Sequence, residues 1–356
     1  MGLLTAAAGM AVAGVAVGVA TQRYAVERVR RRSDPAAGEL FGLLRGRPLT
    51  VRADDGVPLH VEVRDRSDVG DVGADRTIVF CHGFALHQGC WHYQMRDLTD
   101  LGRLVFWDLR SHGRSGRGSR ERSTVDQLGK DLYAVLQATA PPEGPVVLVG
   151  HSMGGMSIMA LADQHPELFG RQVRGVGLIC TSSGRLAEVT FGLPALSAWT
   201  VRRMTSGVLD VLGRRSKLVE PGRRLGRDLG LPLVRHYGFS QEGVSPSLVR
   251  FVNEMIAGTP VDVVADFYPA LMSHDKLTAL ASLLPDETLV VAGENDRFAP
   301  VDHSRAISAA VPGARLCVVP DAGHLVMLEW PEIVNEALRE LVAETSRVPA
   351  REKPSR

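Results

Sequence analysis

The sequence predicts an α/β protein, a mostly parallel central sheet with helices on both faces. Six short runs rich in apolar and β-branched residues recur along the chain: TIVFCHG, RLVFWDLR, PVVLVGHS, VRGVGLICTSS, ETLVVAGEND and ARLCVVPDAGH. Amphipathic helical stretches such as VDQLGKDLYAVLQAT and MSIMALADQHPELF lie between them. Runs that are apolar throughout suit strands covered on both sides, and strand–helix alternation is how parallel sheets are built. At 356 residues the chain suits one large domain carrying an insertion.

Taken in order, residues 3–20 (LLTAAAGMAVAGVAVGVA) carry no charge and just reach the length of a membrane-spanning helix. No basic residue precedes them, as one would in a secretory signal, and Arg23, Arg28, Arg30, Arg31 and Arg32 follow. By the positive-inside rule this predicts a hydrophobic anchor helix over residues 1–22, a basic juxtamembrane linker over 23–46, and a catalytic domain on the cytoplasmic side. Export after cleavage of a signal and a soluble cytoplasmic protein are the alternatives. The linker ends in a connector, SDPAAGELFGLLRG.

The main domain spans residues 47–345. It opens on two alternating segments, LTVRADDG and VPLHVEVRD, with a DG turn between them, which reads as a hairpin. A polar loop from Asp65 to Arg76 leads into the six runs. From about residue 184 to 275 the alternation breaks: no convincing buried strand occurs, and Arg, Gly and Pro are frequent. This predicts a helical lid insertion. Its arginines Arg202, Arg203, Arg214, Arg215, Arg223 and Arg224 read first as a solvated helical face, then as a surface for acidic headgroups. Residues 346–356 form a charged, proline-containing tail expected to be disordered.

The formal net charge is +1, which gives no footprint for nucleic acid. Cys81, Cys90, Cys180 and Cys317 make no CxxC pair and no zinc spacing, and are expected as buried free thiols. Neither a metal nor an organic cofactor is implied.

The chemistry concentrates at strand ends. Gly150-His151-Ser152-Met153-Gly154 fits G-x-S-x-G, follows an apolar run and opens a helix-like segment. That context makes Ser152 the candidate nucleophile on a strained turn, with Gly150 and Gly154 small enough to let strand and helix close around it. A serine hydroxyl needs a base. Of eleven histidines His324 is best placed, in DAGH after the last run; His151 adjoins the serine but points elsewhere. The imidazole needs a carboxylate, and Asp296 in GEND is the candidate, ahead of Glu294, Asp302 and Asp321. After LICTSS no acid occurs until Glu188, which disfavours the other placement. Two backbone amides must hold the developing oxyanion: Met153, after the nucleophile, and Phe84 in His82-Gly83-Phe84. Phe84 is also readable as a pocket wall, and His82 as a structural hydrogen-bonding residue.

HGF, DLRSHGRS (Asp108 to Ser115), GHSMGG, GENDRFAP and DAGH stand in an order and spacing that resemble the α/β-hydrolase superfamily over residues 48–345. The resemblance implies the α/β-hydrolase fold and a serine triad, with little said about substrate. Two departures occur. Arg110-Ser111-His112-Gly113 stands where R-G-H-G is usual, and HGF replaces the HGGG of one esterase group. Relatives that open epoxides or remove halogen use an aspartate at the elbow, so Ser152 points away from them. The expected activity is cleavage of a carboxylic ester, on a small-molecule or lipid-like acyl substrate. Thioesterase, acyltransferase, carbon–carbon hydrolase and cofactor-free haloperoxidase-like chemistry follow as alternatives, with a non-catalytic ligand-binding role last.

Overall fold

The computed structural model describes residues 33–65, 76–142, 144–189, 211–216, 227–240 and 242–345, together with Glu27 and Gly207. The expected anchor helix, residues 23–26 and 28–32 of the basic linker, the tail over residues 346–356, and Arg202, Arg203, Arg223 and Arg224 lie outside the described residues. Among the described residues no helix is long and apolar enough to cross a membrane. Arg214 and Arg215 are described and exposed.

Eight strands form one sheet in the order β1-β2-β4-β3-β5-β6-β7-β8. β1 (Arg47–Arg52) and β2 (Pro58–Arg64) make the hairpin, paired antiparallel from Arg47 opposite Val63 to Arg52 opposite Pro58. Gly56 takes a φ of +83° in its turn, a conformation that a Cβ would strain, and donates to the Ala53 carbonyl. β2 lies antiparallel to β4 (Arg103–Trp107). All remaining pairs are parallel, through β3 (Thr77–Cys81), β5 (Val146–His151), β6 (Val173–Ile179), β7 (Thr288–Gly293) and β8 (Arg315–Val319). The six apolar runs are β3 to β8.

Because side chains alternate along a strand, each run feeds both faces. Val79, Leu148, Leu178 and Val290 pack with α2 (Val125–Thr139) and α3 (Met153–Gln164) on one face. Phe80, Val149, Ile179 and Val291 pack on the other with α1 (His92–Asp97) and the C-terminal helix α9 (Pro331–Thr345). α2 buries Leu128, Leu132, Val135 and Leu136 at helical spacing, each worth roughly 1.5–3 kcal/mol on removal from water. Its start is fixed by Thr124, whose hydroxyl accepts from the Gln127 N–H at 3.1 Å.

Between β6 and β7 the described residues carry α4 (Leu231–Gly238), α5 (Pro246–Gly258) and α6 (Val261–Met272), and no named strand. An isolated antiparallel bridge joins Gly184 to Asp275, so the two ends of this segment lie side by side. Residues 33–46, read as a connector, are docked on α1 and α5. The Asp34 carboxylate accepts from the Ser247 N–H (3.2 Å) and hydroxyl (2.8 Å), supplying α5 with an acceptor at its first turn. Phe41 stacks on Phe251 with ring centroids 5.2 Å apart, and Glu39 bonds His92 at 2.7 Å. Helix α7 (Val301–Ala310) lies between β7 and β8, and the short α8 (Val326–Glu329) leads from β8 into α9.

Candidate active site

The candidate nucleophile sits between β5 and α3. Ser152 has φ +53° and ψ −119°, a backbone state that costs on the order of 1–3 kcal/mol for a residue with a Cβ. Neighbouring hydrogen bonds hold it there. Its N–H donates to the Ile179 carbonyl at 3.0 Å, and its own carbonyl accepts from the Thr181 hydroxyl (2.7 Å) and the Gly155 N–H (2.9 Å). The flanking glycines are required by contact: a Cβ on Gly150 would come within 2.6 Å of the Gly154 backbone, and one on Gly154 would overlap the Cys81 carbonyl oxygen. The first turn of α3 is thereby pressed against the ends of β3 and β5.

The candidate acid and base form a bonded pair at the ends of β7 and β8. His324 Nδ1 lies 2.8 Å from Asp296 Oδ2. The other carboxylate oxygen of Asp296 accepts from the Phe298 N–H (2.8 Å) and the Ala299 N–H (3.0 Å). With all of these acting as donors to a carboxylate, His324 carries its proton on Nδ1 and presents a lone pair on Nε2. Its ring lies between Phe298, 5.1 Å away, and His151, 4.8 Å away. Glu294 accepts instead from the Asp321 N–H, and Asp302 pairs with Arg305. Asp296 is therefore the carboxylate that meets the imidazole. Among the described residues no hydrogen bond joins Ser152 Oγ to His324; in unliganded sites such contacts are commonly long and tighten on binding.

His151 is turned away from the hydroxyl, as its place beside the serine implies. Its Nε2 donates to the His324 carbonyl at 2.9 Å. Burial, with His324 close by, holds its pKa well below the usual histidine range, so it is a neutral prop for the base loop. The HGF loop closes the opposite side: a Cβ on Gly83 would lie 3.1 Å from Ser152 Cβ. Ala85 takes a φ of +58° there. Among the described residues neither the Phe84 nor the Met153 N–H donates to a backbone carbonyl outside the regular ladders. The Phe84 ring packs edge-on to His112 at 6.1 Å, so it also serves as wall.

His82 and the DLRSHGRS segment form a frame beneath. His82 donates from Nδ1 to the Gly83 carbonyl (2.7 Å) and accepts at Nε2 from the Leu109 N–H (2.9 Å), which fixes a neutral tautomer; burial keeps its pKa far down. Asp108 accepts from the Gln88 and Arg114 amides, both at 2.8 Å. Arg110, fully buried, is held by Asp131 (2.6 and 2.7 Å) and Asp55 (2.8 and 3.2 Å). Ser111, where glycine is usual, takes a φ of +66°, and its hydroxyl accepts from the Gly118 N–H at 3.0 Å.

Cys81, Cys90 and Cys180 are buried free thiols and Cys317 is half-buried. Cys180 lies beside the pair: its sulfur, an Asp296 oxygen and a His324 nitrogen fall within 4.8 Å of one another. Burial, then the Asp296 charge, pushes its pKa well above the usual thiol value. Both carboxylate oxygens of Asp296 are already engaged, by the His324 ring and by the Phe298 and Ala299 N–H groups. A cavity of about 780 Å³ abuts the acid side of the site, lined by Ser183, Arg185, Asp275, Asp296, Arg297 and His303 among others. It touches Asp296 but not Ser152.

Two supporting residues have no sequence signal. Thr181 holds the Ser152 carbonyl. Glu329 accepts from the Gly323 N–H at 2.6 Å, one residue before His324. Both act on backbone atoms brought close only by the fold.

Residues 78–337 match the Alpha/beta hydrolase family. An uncharacterized hydrolase of Bacillus subtilis strain 168 is 25% identical over 280 residues, covering 75% of this chain and 90% of its own length. A pimeloyl-[acyl-carrier protein] methyl ester esterase of Xanthomonas oryzae pv. oryzae is 26% identical over 289 residues, covering 80% of this chain and 99% of itself. Among solved structures, a thermophilic esterase from Thermogutta terrifontis superposes with a TM-score of 0.61 at 23% identity, covering 84% of this chain and 98% of that one.

Proposed function

Since this chain belongs to the alpha/beta hydrolase family and is a hydrolase, we propose that it cleaves carboxylic esters through an acyl-enzyme on Ser152. The observation that carries this reading is the Asp296–His324 bond of 2.8 Å at the ends of β7 and β8, beside a serine at φ +53° on the elbow of β5. The name of the Xanthomonas relative, a methyl ester esterase, supports ester over carbon–carbon cleavage.

The geometry supports the following course. His324 Nε2 takes the proton of Ser152 Oγ as that oxygen bonds to the ester carbonyl carbon. The carbonyl oxygen becomes an oxyanion held by the Phe84 and Met153 N–H groups, and Asp296 stabilises the imidazolium. Collapse breaks the bond to the alcohol, which leaves with the proton from His324. Water then attacks the acyl-serine, giving its proton to the same nitrogen, and Ser152 departs with that proton as the acid is released.

Hydrolysis of p-nitrophenyl esters of graded acyl length by the full chain, wild type against Ser152→Ala, tests the reading. Loss of kcat on the order of a millionfold is expected in the variant. A folded wild type that turns over none of the esters, or a Ser152→Ala protein as fast as wild type, defeats it.

A further inference from the structure

A buried side chain joins the insertion to the loop carrying His324. Glu329, in α8, spreads its carboxylate between two backbone donors. One oxygen accepts from the Ser240 N–H at 2.7 Å, the other from the Gly323 N–H at 2.6 Å. Ser240 lies just past the end of α4, and Gly323 immediately precedes His324. Further contacts follow the same line: the Leu325 N–H donates to the Gly238 carbonyl at 3.0 Å, and the Asn295 amide donates to the Ser240 hydroxyl at 2.9 Å. Asn295 in turn precedes Asp296. The end of α4 thus bonds to backbone or side chain on both sides of the acid–base pair. Glu329 itself is buried, with both carboxylate oxygens turned to these amides.

We propose that Glu329 is a positioning residue for the reaction assigned above, coupling the placement of the insertion to the orientation of His324. The proposal rests on that assignment of His324 as base. A carboxylate is the group that suits the place, because it offers two acceptor oxygens and no donor to two amides that converge on it. Charge-assisted bonds of this kind are shorter and stronger than neutral ones, which suits a tie that must hold the base through proton transfer. The carboxylate thereby links the position of the Ser240 peptide to that of the Gly323 peptide, and through it to the imidazole. A glutamine of the same shape keeps one acceptor but turns an N–H₂ toward the second amide, so one tie becomes a repulsion.

The test compares Glu329→Gln with wild type for kcat, KM, the pH profile of kcat and the rate of Ser152 labelling by a serine-directed phosphonate. Asn335→Ala, which removes a buried hydrogen bond to Gln94 elsewhere on α9, controls for lost stability. Glu329→Gln should lose about 100-fold in kcat and in labelling rate, the size of effect that an ångström of misplacement produces, with KM little changed and the acid limb of the profile displaced. Asn335→Ala should keep wild-type kcat per folded molecule. Equal kcat and an unmoved profile in folded Glu329→Gln overturn the proposal. Amide exchange on the wild-type protein decides the case if the variant does not fold: Ser240 and Gly323 should open together, and should both slow when the phosphonate is bound. Independent exchange of the two amides overturns the tie. Wild type that neither hydrolyses esters nor takes the label defeats the ester hydrolase reading instead, and the exchange result still stands or falls alone.

Discussion

On the acid–base side of the candidate site, Asp296 accepts three hydrogen bonds, His324 is engaged at both Nδ1 and its carbonyl, and Glu329 ties the preceding peptide. On the nucleophile side, Ser152 and Ala85 sit at positive φ and the Phe84 and Met153 amides donate to no loop carbonyl among the described residues. On the proposed assignment the contrast separates two kinds of work. Groups that must keep one orientation through a catalytic cycle are saturated by the protein. Groups that must meet a changing charge are strained or left with bonding capacity that a substrate can take up.

The largest break in this contrast comes from the saturated side. Asp296→Asn keeps the shape but places an amide donor against His324 or against the two backbone donors, and sets the imidazole in the wrong tautomer. A loss of about ten-thousandfold in kcat is expected, read by ester hydrolysis with folding checked by circular dichroism. Activity of the Asp296→Asn variant within about tenfold of wild type would show that the carboxylate does not orient the base.

Acid sharpens the comparison next. The nucleophile side is packed with His82, His112 and His151, and His274 bonds the Ser182 carbonyl nearby; burial depresses all four, His112 and His274 to about 4. Native imidazoles that resist protonation bind fewer protons than the unfolded chain, whose histidines titrate near ~6.5. Stability is therefore fully present above that pH and is lost as the pH falls from there toward 4, by up to ~1.4 kcal/mol per pH unit for each histidine. Chemical denaturation at pH 7 and pH 5 measures this. Equal stability at the two values would mean that these rings are hydrated or charged in the native protein.

The smallest effect tests strain alone. Ser111 takes left-handed φ without the freedom of glycine and gains one hydrogen bond from Gly118. Ser111→Ala keeps the strain and loses the bond, whereas Ser111→Gly loses the bond and relieves the strain. The glycine variant should exceed the alanine variant by about 1 kcal/mol in unfolding free energy. Equal values would place the cost elsewhere.

Much of this was legible in the sequence for physical reasons. Each of β3 to β8 is an apolar run because it is covered on both faces, and apolarity is written residue by residue. The DG pair marks the β1–β2 turn because Gly56 needs positive φ. The elbow is readable because Gly150 and Gly154 have no room for a Cβ. Glu329 was not readable: it looks like any helical glutamate, and its two partners are backbone amides that every residue but proline possesses. The docking of residues 33–46 was hidden likewise, since Phe41 and Asp34 find Phe251 and Ser247 only in the folded chain. Ser111 could be seen as a departure from pattern, but its φ could not.

Ser152 stands at the end of β5, ahead of the insertion, while Asp296 and His324 stand at the ends of β7 and β8, behind it. Chains are made from the N-terminus, and their parts collapse as they emerge from the ribosome. The elbow is therefore complete long before its acid and base have been synthesised. On the proposed assignment a nascent or prematurely stopped chain cannot acylate itself, however well its first strands have paired. On that assignment turnover begins only when β8 and the loop carrying His324 have joined the sheet, so the order of synthesis itself keeps the nucleophile idle until its partners arrive.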